Sequence, residues 1–269
     1  EPLQSLEKDG FEITLIAPDE NGWVDPRRIK EELKEETLLI SIMHVNNETG
    51  VIQPITEISE TIKSYDVYFH VDAAQGFGKD IDTLLDQRID MISISGHKIY
   101  GPKGIGALVL RKRDYERPPL QPLMFGGGQE KKLRPGTLPV HLIVGLGLAA
   151  ELAIKNVKER NIKCEKFKEN ALAKLAKLNP VVNGDKTLPN VLNISFPGVD
   201  AEALMVGLKD IISISNGSAC TSQSYTPSHV LQAMRLPEDL IKSTVRLSWC
   251  HMTKTPDWDK VVNTIESFI

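Results

Sequence analysis

The sequence is poor in cysteine, and its histidines lack metal-ligand spacing. Its 3 cysteines, Cys164, Cys220 and Cys250, form no CxxC pair. This number and spacing argue against a disulfide framework and against a zinc site, and they fit a reducing compartment. We therefore expect a cytoplasmic protein without a bound metal ion.

The sequence also has few features that would direct it to a membrane or to nucleic acid. The 269 residues carry a net charge of -4, with 41% hydrophobic and 25% charged residues. We find no apolar run long enough to span a bilayer and no signal-peptide pattern at the first residues. No basic cluster is dense enough for direct nucleic-acid binding. This composition predicts a soluble globular chain of one large or two modest domains.

Three short segments rich in Ile, Val and Leu predict buried parallel strands separated by crossovers. These are residues 37–45, 67–71 and 89–94. Ligands bind beyond the carboxyl ends of such strands, so polar residues that follow them should meet in one crevice. The polar residues are Asn46 and Asn47 after the first segment, Asp72 and Gln75 after the second, and Ser95, His97 and Lys98 after the third.

The pairing of Lys98 with Asp72 suggests a specific chemistry. A lysine amine forms Schiff bases with carbonyl compounds, and a carboxylate facing a pyridine nitrogen keeps that nitrogen protonated. The two residues are therefore typical of the core of a pyridoxal 5'-phosphate (PLP) site. The alternatives are that Lys98 is only a solvated charge and that Asp72 only caps the following helix.

Four motifs resemble the cysteine desulfurases of the NifS-like group, which belong to the class V aminotransferases. They occur in the family's order between about residue 37 and about residue 248, and they cover most of the chain. The motifs are His44-Val45-Asn46-Asn47-Glu48-Thr49-Gly50, His70-Val71-Asp72-Ala73-Ala74-Gln75, Ser95-Gly96-His97-Lys98-Ile99-Tyr100-Gly101-Pro102-Lys103-Gly104 and Ser218-Ala219-Cys220.

The resemblance implies a role for each residue of the cofactor site. Lys98 would bind PLP covalently, Asp72 would pair with the pyridine nitrogen, and Gln75 would donate a hydrogen bond to the phenolic oxygen. Ser95 and His97 would hold the phosphate. The implied fold is that of the aminotransferase-like, fold type I PLP enzymes: an α/β protein with a mostly parallel large sheet and a smaller α+β C-terminal domain.

Further residues are expected to bind the substrate or to join two subunits. Arg246 lies in a predicted alternating strand, and a guanidinium can hold an amino-acid carboxylate through two parallel hydrogen bonds. The alternative is a surface arginine on an edge strand. By the resemblance, Asn47 would lie at the substrate and at the edge of the cofactor ring. Thr137 would reach the phosphate of the partner subunit's cofactor, which implies a homodimer.

Cys220 lies in a small, polar, glycine-containing loop after a predicted strand at 211–215. Free structural cysteines more often occur within apolar runs. The resemblance implies that the Cys220 thiolate attacks the sulfur of L-cysteine, which leaves a persulfide on the enzyme and releases L-alanine. The persulfide would pass to a sulfur-acceptor protein in iron-sulfur cluster assembly, tRNA thiolation or DNA phosphorothioation. Cys164 is expected on a surface helix, and Cys250 in core or strand-end packing.

The expected domain organisation is a large PLP-binding domain at 1–140 and an interdomain helix with a small C-terminal domain at 141–269. The large domain looks incomplete at its N-terminus: the relatives' glycine- and threonine-containing phosphate loop and their ring-stacking histidine have no counterpart here. A missing N-terminal segment is therefore a candidate partner. This leaves a third interpretation, a catalytically incomplete dimerisation or docking fragment.

Two smaller questions concern the substrate and the acceptor. A selenocysteine lyase, or another lyase acting on small amino acids, could use the same fold without needing Cys220. Gln129, Pro135 and Asn216 differ from the residues usual in desulfurases of iron-sulfur assembly. These three residues look more like the desulfurases of DNA phosphorothioation systems.

Overall fold

The structure is a computed structural model that describes residues 2–216 and 227–269. Within these residues the strands form two sheets of four. The strands are β1 (Leu39–Met43), β2 (Tyr68–Asp72), β3 (Met91–Ser95), β4 (Gly106–Leu110), β5 (Val181–Val182), β6 (Val191–Ser195), β7 (Ser215–Asn216) and β8 (Thr244–Ser248). The α-helices are α1 (Pro2–Ser5), α2 (Pro26–Glu31), α3 (Ile55–Thr61), α4 (Val140–Leu175), α5 (Ala201–Leu208), α6 (His229–Ala233), α7 (Glu238–Lys242) and α8 (Trp258–Glu266). Single 3-10 turns occur at Leu6–Asp9, Asp82–Leu85, Gly96–Ile99, Gln129–Lys132 and Ala176–Leu178.

The first sheet has the order β1-β2-β3-β4. Its first three strands are parallel, as the apolar segments predict, and β4 runs antiparallel to β3. One face packs against α3, where Phe69 and Val71 of the sheet and Ile55 and Ile58 of the helix are fully buried. The opposite face exposes apolar side chains, including Leu39, which is 40% exposed.

Three helices begin after an aspartate that caps them. The carboxylates of Asp25, Asp200 and Asp257 accept hydrogen bonds from backbone amides in the first turns of α2, α5 and α8. A side-chain oxygen at this position satisfies an amide that has no partner within the helix, which is worth about 1 kcal/mol. Local sequence therefore sets where these helices start.

Helix α4 overturns part of the expectation about membranes. The stretch Val140–Leu178 is long and apolar enough to cross a membrane, and only 6% of its most apolar window is buried. Scattered charges interrupt the apolar run, so the sequence alone did not indicate such a helix. A single helix of this kind indicates a membrane only weakly. Val140, Val144, Leu148 and Leu152, here called the α4 stripe, are all exposed and recur every four residues, so they share one face.

The second sheet is antiparallel, with the order β5-β6-β8-β7. It packs with α5, α8 and the C-terminal half of α4 around a core that contains Trp249 and Trp258. The predicted strand at 211–215 overlaps β7 (Ser215–Asn216) only at Ser215. The predicted boundary near residue 140 coincides with the start of α4, and the division into two domains stays a prediction.

Cys164 corrects a second expectation. It lies on α4 as predicted, but it is 5% exposed and belongs to the core of the second sheet. The indole of Trp249 donates a hydrogen bond to the Cys164 carbonyl at 3.1 Å. Burial, and to a lesser extent Cys250, raises the pKa of the Cys164 thiol to about 11. The charged residues around Cys164 predicted a surface helix, but one face of that helix is covered by the tryptophans.

Candidate active site

The carboxyl ends of β1, β2 and β3 bring the predicted polar residues to one edge of the first sheet. The pairing Met43↔Asp72 aligns β1 with β2, and Asp72↔Ser93 aligns β2 with β3. Beyond the strands, the backbone amide of His44 donates to the Asp72 carbonyl at 2.8 Å. Asp72 therefore lies between the two neighbouring strand ends, as the sequence predicts.

Lys98 lies in the 3-10 turn Gly96–Ile99 that follows β3. The turn is tight, because a Cβ at Gly96 would lie 2.9 Å from the Ile105 carbonyl oxygen. The next residue, Tyr100, has a φ of 68°, a left-handed conformation that is uncommon for a residue other than glycine. The Lys98 side chain is half-buried, and its amine makes no hydrogen bond to any described residue.

Asp72 has one carboxylate oxygen engaged locally and one available. Its Oδ1 accepts a hydrogen bond from the backbone amide of Ala74 at 3.0 Å. This local bond is of the kind expected if Asp72 only capped the residues that follow it. Its Oδ2 accepts no hydrogen bond from the described residues. The local bond orients the carboxylate and leaves one oxygen for another partner.

The other residues predicted to bind the cofactor differ in how close they lie to Lys98 and to the edge of the first sheet. Ser95 Oγ and His97 Nδ1 lie 3.0 Å apart, so these two side chains adjoin beside Lys98. Gln75 is half-buried in the turn after β2. Thr137 lies on an exposed segment between the Gln129–Lys132 turn and α4, and its side chain makes no hydrogen bond to a residue that the structure describes.

Asn47 and Arg246 come together from the two sheets. Arg246, on β8, donates from Nη1 to the Asn47 carbonyl at 2.8 Å. Its Nε is buried and has no partner within the described part of the chain. An unpaired buried guanidinium nitrogen is costly, and it is the kind of donor that a carboxylate satisfies.

Cys220 lies outside the described residues, as do Ser218 and Ala219. The described parts of the chain contain no group of three or more His, Cys, Asp or Glu side chains that could hold a metal ion.

Lys79, for which the sequence alone predicts no role, lies next to the predicted site. Its ammonium donates to the Gln75 carbonyl at 2.8 Å, and its own carbonyl accepts the side chain of Asn161 on α4. Burial, followed by the neighbouring charge of Lys98, lowers the pKa of Lys79 to about 8. The only signal in the sequence was its position four residues after Gln75.

Comparisons with known proteins agree with this geometry. The family model described as aminotransferase class-V matches residues 1–261. Cysteine desulfurase IscS of Vibrio cholerae is 42% identical over 266 residues, which are 98% of this chain and 65% of that protein.

Two solved structures are also similar. DndA from Streptomyces lividans shares 48% identity with a TM-score of 0.82, over 95% of this chain and 71% of that one. A structure described as SspA in complex with cysteine shares 38% identity with a TM-score of 0.73, over 92% and 69% of the two chains. This chain spans 65% of the length of its curated IscS relative. It belongs to the class-V aminotransferase family and has that family's α/β fold.

Proposed function

We propose that the protein is a PLP-dependent cysteine desulfurase. The observation that carries the proposal is that Asp72 ends β2 and Lys98 lies in the turn that follows the neighbouring strand β3, at the same edge of the sheet. The chain in which this occurs is 42% identical to a protein named cysteine desulfurase.

The residues at the strand ends fit PLP. The Lys98 amine, which has no hydrogen-bond partner among the described residues, can bind the cofactor's carbonyl carbon, and Asp72 Oδ2 can accept a hydrogen bond from the protonated pyridine nitrogen. Ser95 and His97 offer a hydroxyl and an imidazole to the phosphate, and Gln75 offers an amide to the phenolic oxygen. When bound, PLP supplies an electron sink next to the substrate's α-carbon. Lys79 holds the turn that carries Gln75 through its bond to the Gln75 carbonyl.

Arg246 is proposed to hold the carboxylate of L-cysteine, with Asn47 beside it. The Nε, which is buried and has no hydrogen-bond partner among the described residues, gives the guanidinium a donor for this carboxylate. In the proposed reaction the Cys220 thiolate forms an S–S bond to the substrate sulfur as the carbon–sulfur bond breaks. The electron pair of that bond stays with carbon, which takes up a proton. The products are L-alanine and a persulfide on Cys220.

The α4 stripe supports a homodimer. Its exposed apolar side chains lie directly after Thr137, the residue proposed to reach the partner subunit's site. Large exposed apolar patches are typical of protein interfaces. We propose that a second copy, together with any segment preceding residue 1, covers this surface. The proposed setting is the cytoplasm, where the few unpaired cysteines would remain reduced.

The proposed sulfur acceptor is a protein of a DNA-modifying system. Gln129, Pro135 and Asn216 favour this choice over an acceptor of iron-sulfur assembly or tRNA thiolation.

The test is turnover of L-cysteine by the full-length protein supplied with PLP. We expect stoichiometric L-alanine and protein persulfide, and visible absorbance of the bound cofactor that Lys98→Ala alters. Cys220→Ala should bind PLP normally and form no persulfide. Full sulfur release by Cys220→Ala would indicate a lyase instead. Absence of both cofactor absorbance and alanine would indicate a docking module.

A further inference from the structure

Glu48 is a buried carboxyl group to which neither the sequence analysis nor the proposed reaction assigns a role. It is 3% exposed and lies in the turn Asn46–Gly50 after β1. Its Oε2 accepts the hydroxyl of Ser228 at 2.5 Å, across 180 residues of sequence. Ser228 is itself 5% exposed, so this bond is shielded from water on both sides.

The Ser228 hydroxyl serves two partners at once. It also accepts the backbone amide of Leu231 at 3.2 Å and so caps α6. A hydroxyl has a single proton, and donating that proton to Glu48 turns its lone pairs towards the helix. The carboxylate of Glu48 therefore orients the cap of α6.

The same turn reaches the second sheet through its backbone. The carbonyl of Asn47 accepts Arg246 Nη1, and the carbonyl of Glu48 accepts Asn193 Nδ2 at 3.3 Å. Asn193 and Arg246 are paired residues of β6 and β8. The side chain of Asn46 fixes the turn from within by accepting the amides of Glu48 and Thr49. The hydrogen bonds of two consecutive residues, Asn47 and Glu48, thus connect the end of β1 to α6 and β8.

We infer that Glu48 is a positioning residue for the substrate-carboxylate site. Its bond to Ser228 holds the turn against the second sheet, and that turn presents the Asn47 carbonyl that orients the Arg246 guanidinium. Removing the carboxylate frees the turn, and Arg246 then loses its fixed direction. This inference rests on the proposed function, in which Arg246 binds the carboxylate of L-cysteine.

The charges around Glu48 agree with this role. Burial raises the pKa of Glu48, whereas the Ser228 hydrogen bond, His229 and Arg246 act to lower it. The positive neighbours are residues of α6 and β8, the elements that the turn contacts. Geometry therefore holds the carboxyl group, and these neighbours offset only part of the effect of burying it.

The test compares Glu48→Ala with Glu48→Gln in the full-length protein loaded with PLP. Alanine removes the acceptor, and the loss of a buried bond of this kind predicts a KM for L-cysteine raised about tenfold, with kcat changed far less. Glutamine keeps an acceptor for Ser228 and should restore KM to near the wild-type value. Glu57→Ala, on the exposed surface of α3, is the matched control for losing a carboxylate.

A second readout does not depend on turnover. Hydrogen exchange of the cofactor-free protein should speed up over residues 228–234 in Glu48→Ala, but not in Glu48→Gln. Asp200→Ala, which removes the cap of α5, should leave this segment unchanged. If Glu48→Ala folds poorly, Ser228→Ala breaks the same bond from the other side and should raise KM in the same way. If both single variants fold, the double variant should raise KM no further than Ser228→Ala alone.

The inference is overturned if Glu48→Ala raises KM no more than Glu57→Ala, or if exchange over 228–234 is unchanged. It is also overturned if the glutamine variant is as defective as the alanine variant. A wild-type protein that does not turn over L-cysteine would refute the proposed function. The exchange experiment would still decide whether Glu48 holds α6, so the two failures are distinguishable.

Discussion

Asp90 provides a direct test of what holds the strand ends of the site together. Its carboxylate is 2% exposed and immediately precedes β3. It accepts the backbone amide of Phe69 at 2.6 Å, Arg88 Nη1 at 3.1 Å, and both Nε and Nη2 of Arg113 at 2.5 Å. Because Phe69 lies in β2, this one carboxylate joins the two strands that end at Asp72 and Ser95.

Replacing Asp90 with alanine leaves two guanidinium groups and a buried amide without their acceptor. Breaking a buried ion pair from one side costs about 3–5 kcal/mol. Arg113 is 36% exposed, so water offsets part of its loss, whereas Arg88 is only 14% exposed. Both arginines also keep bonds to the Val67 carbonyl. We therefore expect the free energy of unfolding to fall by about 3 kcal/mol, the lower end of that range. For a chain of this size, such a loss lowers Tm by about 6–12 °C.

The assay is urea and thermal unfolding at neutral pH, followed by circular dichroism. Asp66→Ala is the matched control, because Asp66 is fully exposed and pairs with the same Arg113 at 3.4 Å. We expect it to leave Tm unchanged. Asp90→Asn keeps one acceptor for the Phe69 amide, so it should lower the free energy of unfolding less than Asp90→Ala does. Equal stability of Asp90→Ala and Asp66→Ala would refute the reasoning.

Three further predictions concern buried groups near the site. Gly76→Ala should lower Tm markedly, since its Cβ would lie 2.0 Å from Nδ1 of the fully buried His44; an unchanged Tm would contradict this. The Lys79 pKa of about 8 lies below its usual 10.5, so the unfolded state binds more protons than the folded state between these pH values. The free energy of unfolding of the wild type should therefore rise by up to about 3 kcal/mol, relative to that of Lys79→Met, as pH increases from 8 to 10.5. Urea unfolding of both proteins at several pH values in this range measures the difference. If the free energies of unfolding of wild type and Lys79→Met change in parallel with pH, the prediction is wrong. The Glu48 pKa is raised above 4.5, so its contribution to stability is present below pH 4.5 and declines as pH rises through the folded-state pKa. Glu48→Gln should remove this pH dependence from the unfolding free energy, and its persistence would count against the assignment.

The first sheet was predictable because each of its parallel strands is a local pattern. A short apolar segment followed by a polar residue predicts both the strand and the edge where the site forms, and β1, β2 and β3 follow that rule. The antiparallel direction of β4 was not predictable, since Gly106–Leu110 would look the same in either direction. Direction depends on the chain's path after Lys98, and the tight turn at Gly96 sets that path.

The site's supporting residues were harder to predict because their partners are distant in sequence. Cys164 appeared to lie on a surface helix, and nothing nearby indicated that Trp249, 85 residues away, would cover it. Lys79 and Glu48 are charged residues that usually face water, and only the folded contacts show them buried. Local sequence thus revealed the side chains proposed to contact cofactor and substrate, but not those that hold them in position.

The contacts of the turn Asn46–Gly50 also bear on how the chain folds during synthesis. Its partners Asn193, Ser228 and Arg246 follow it by 145 to 199 residues. At a translation rate of about 5–20 residues per second, the turn waits about 10–40 s for Arg246 to be made. Until then the Glu48 carboxyl stays in water, and the end of β1 lacks the surface that closes over it. The first sheet can therefore assemble on the ribosome, but the proposed substrate pocket can form only once the last strand has been synthesised.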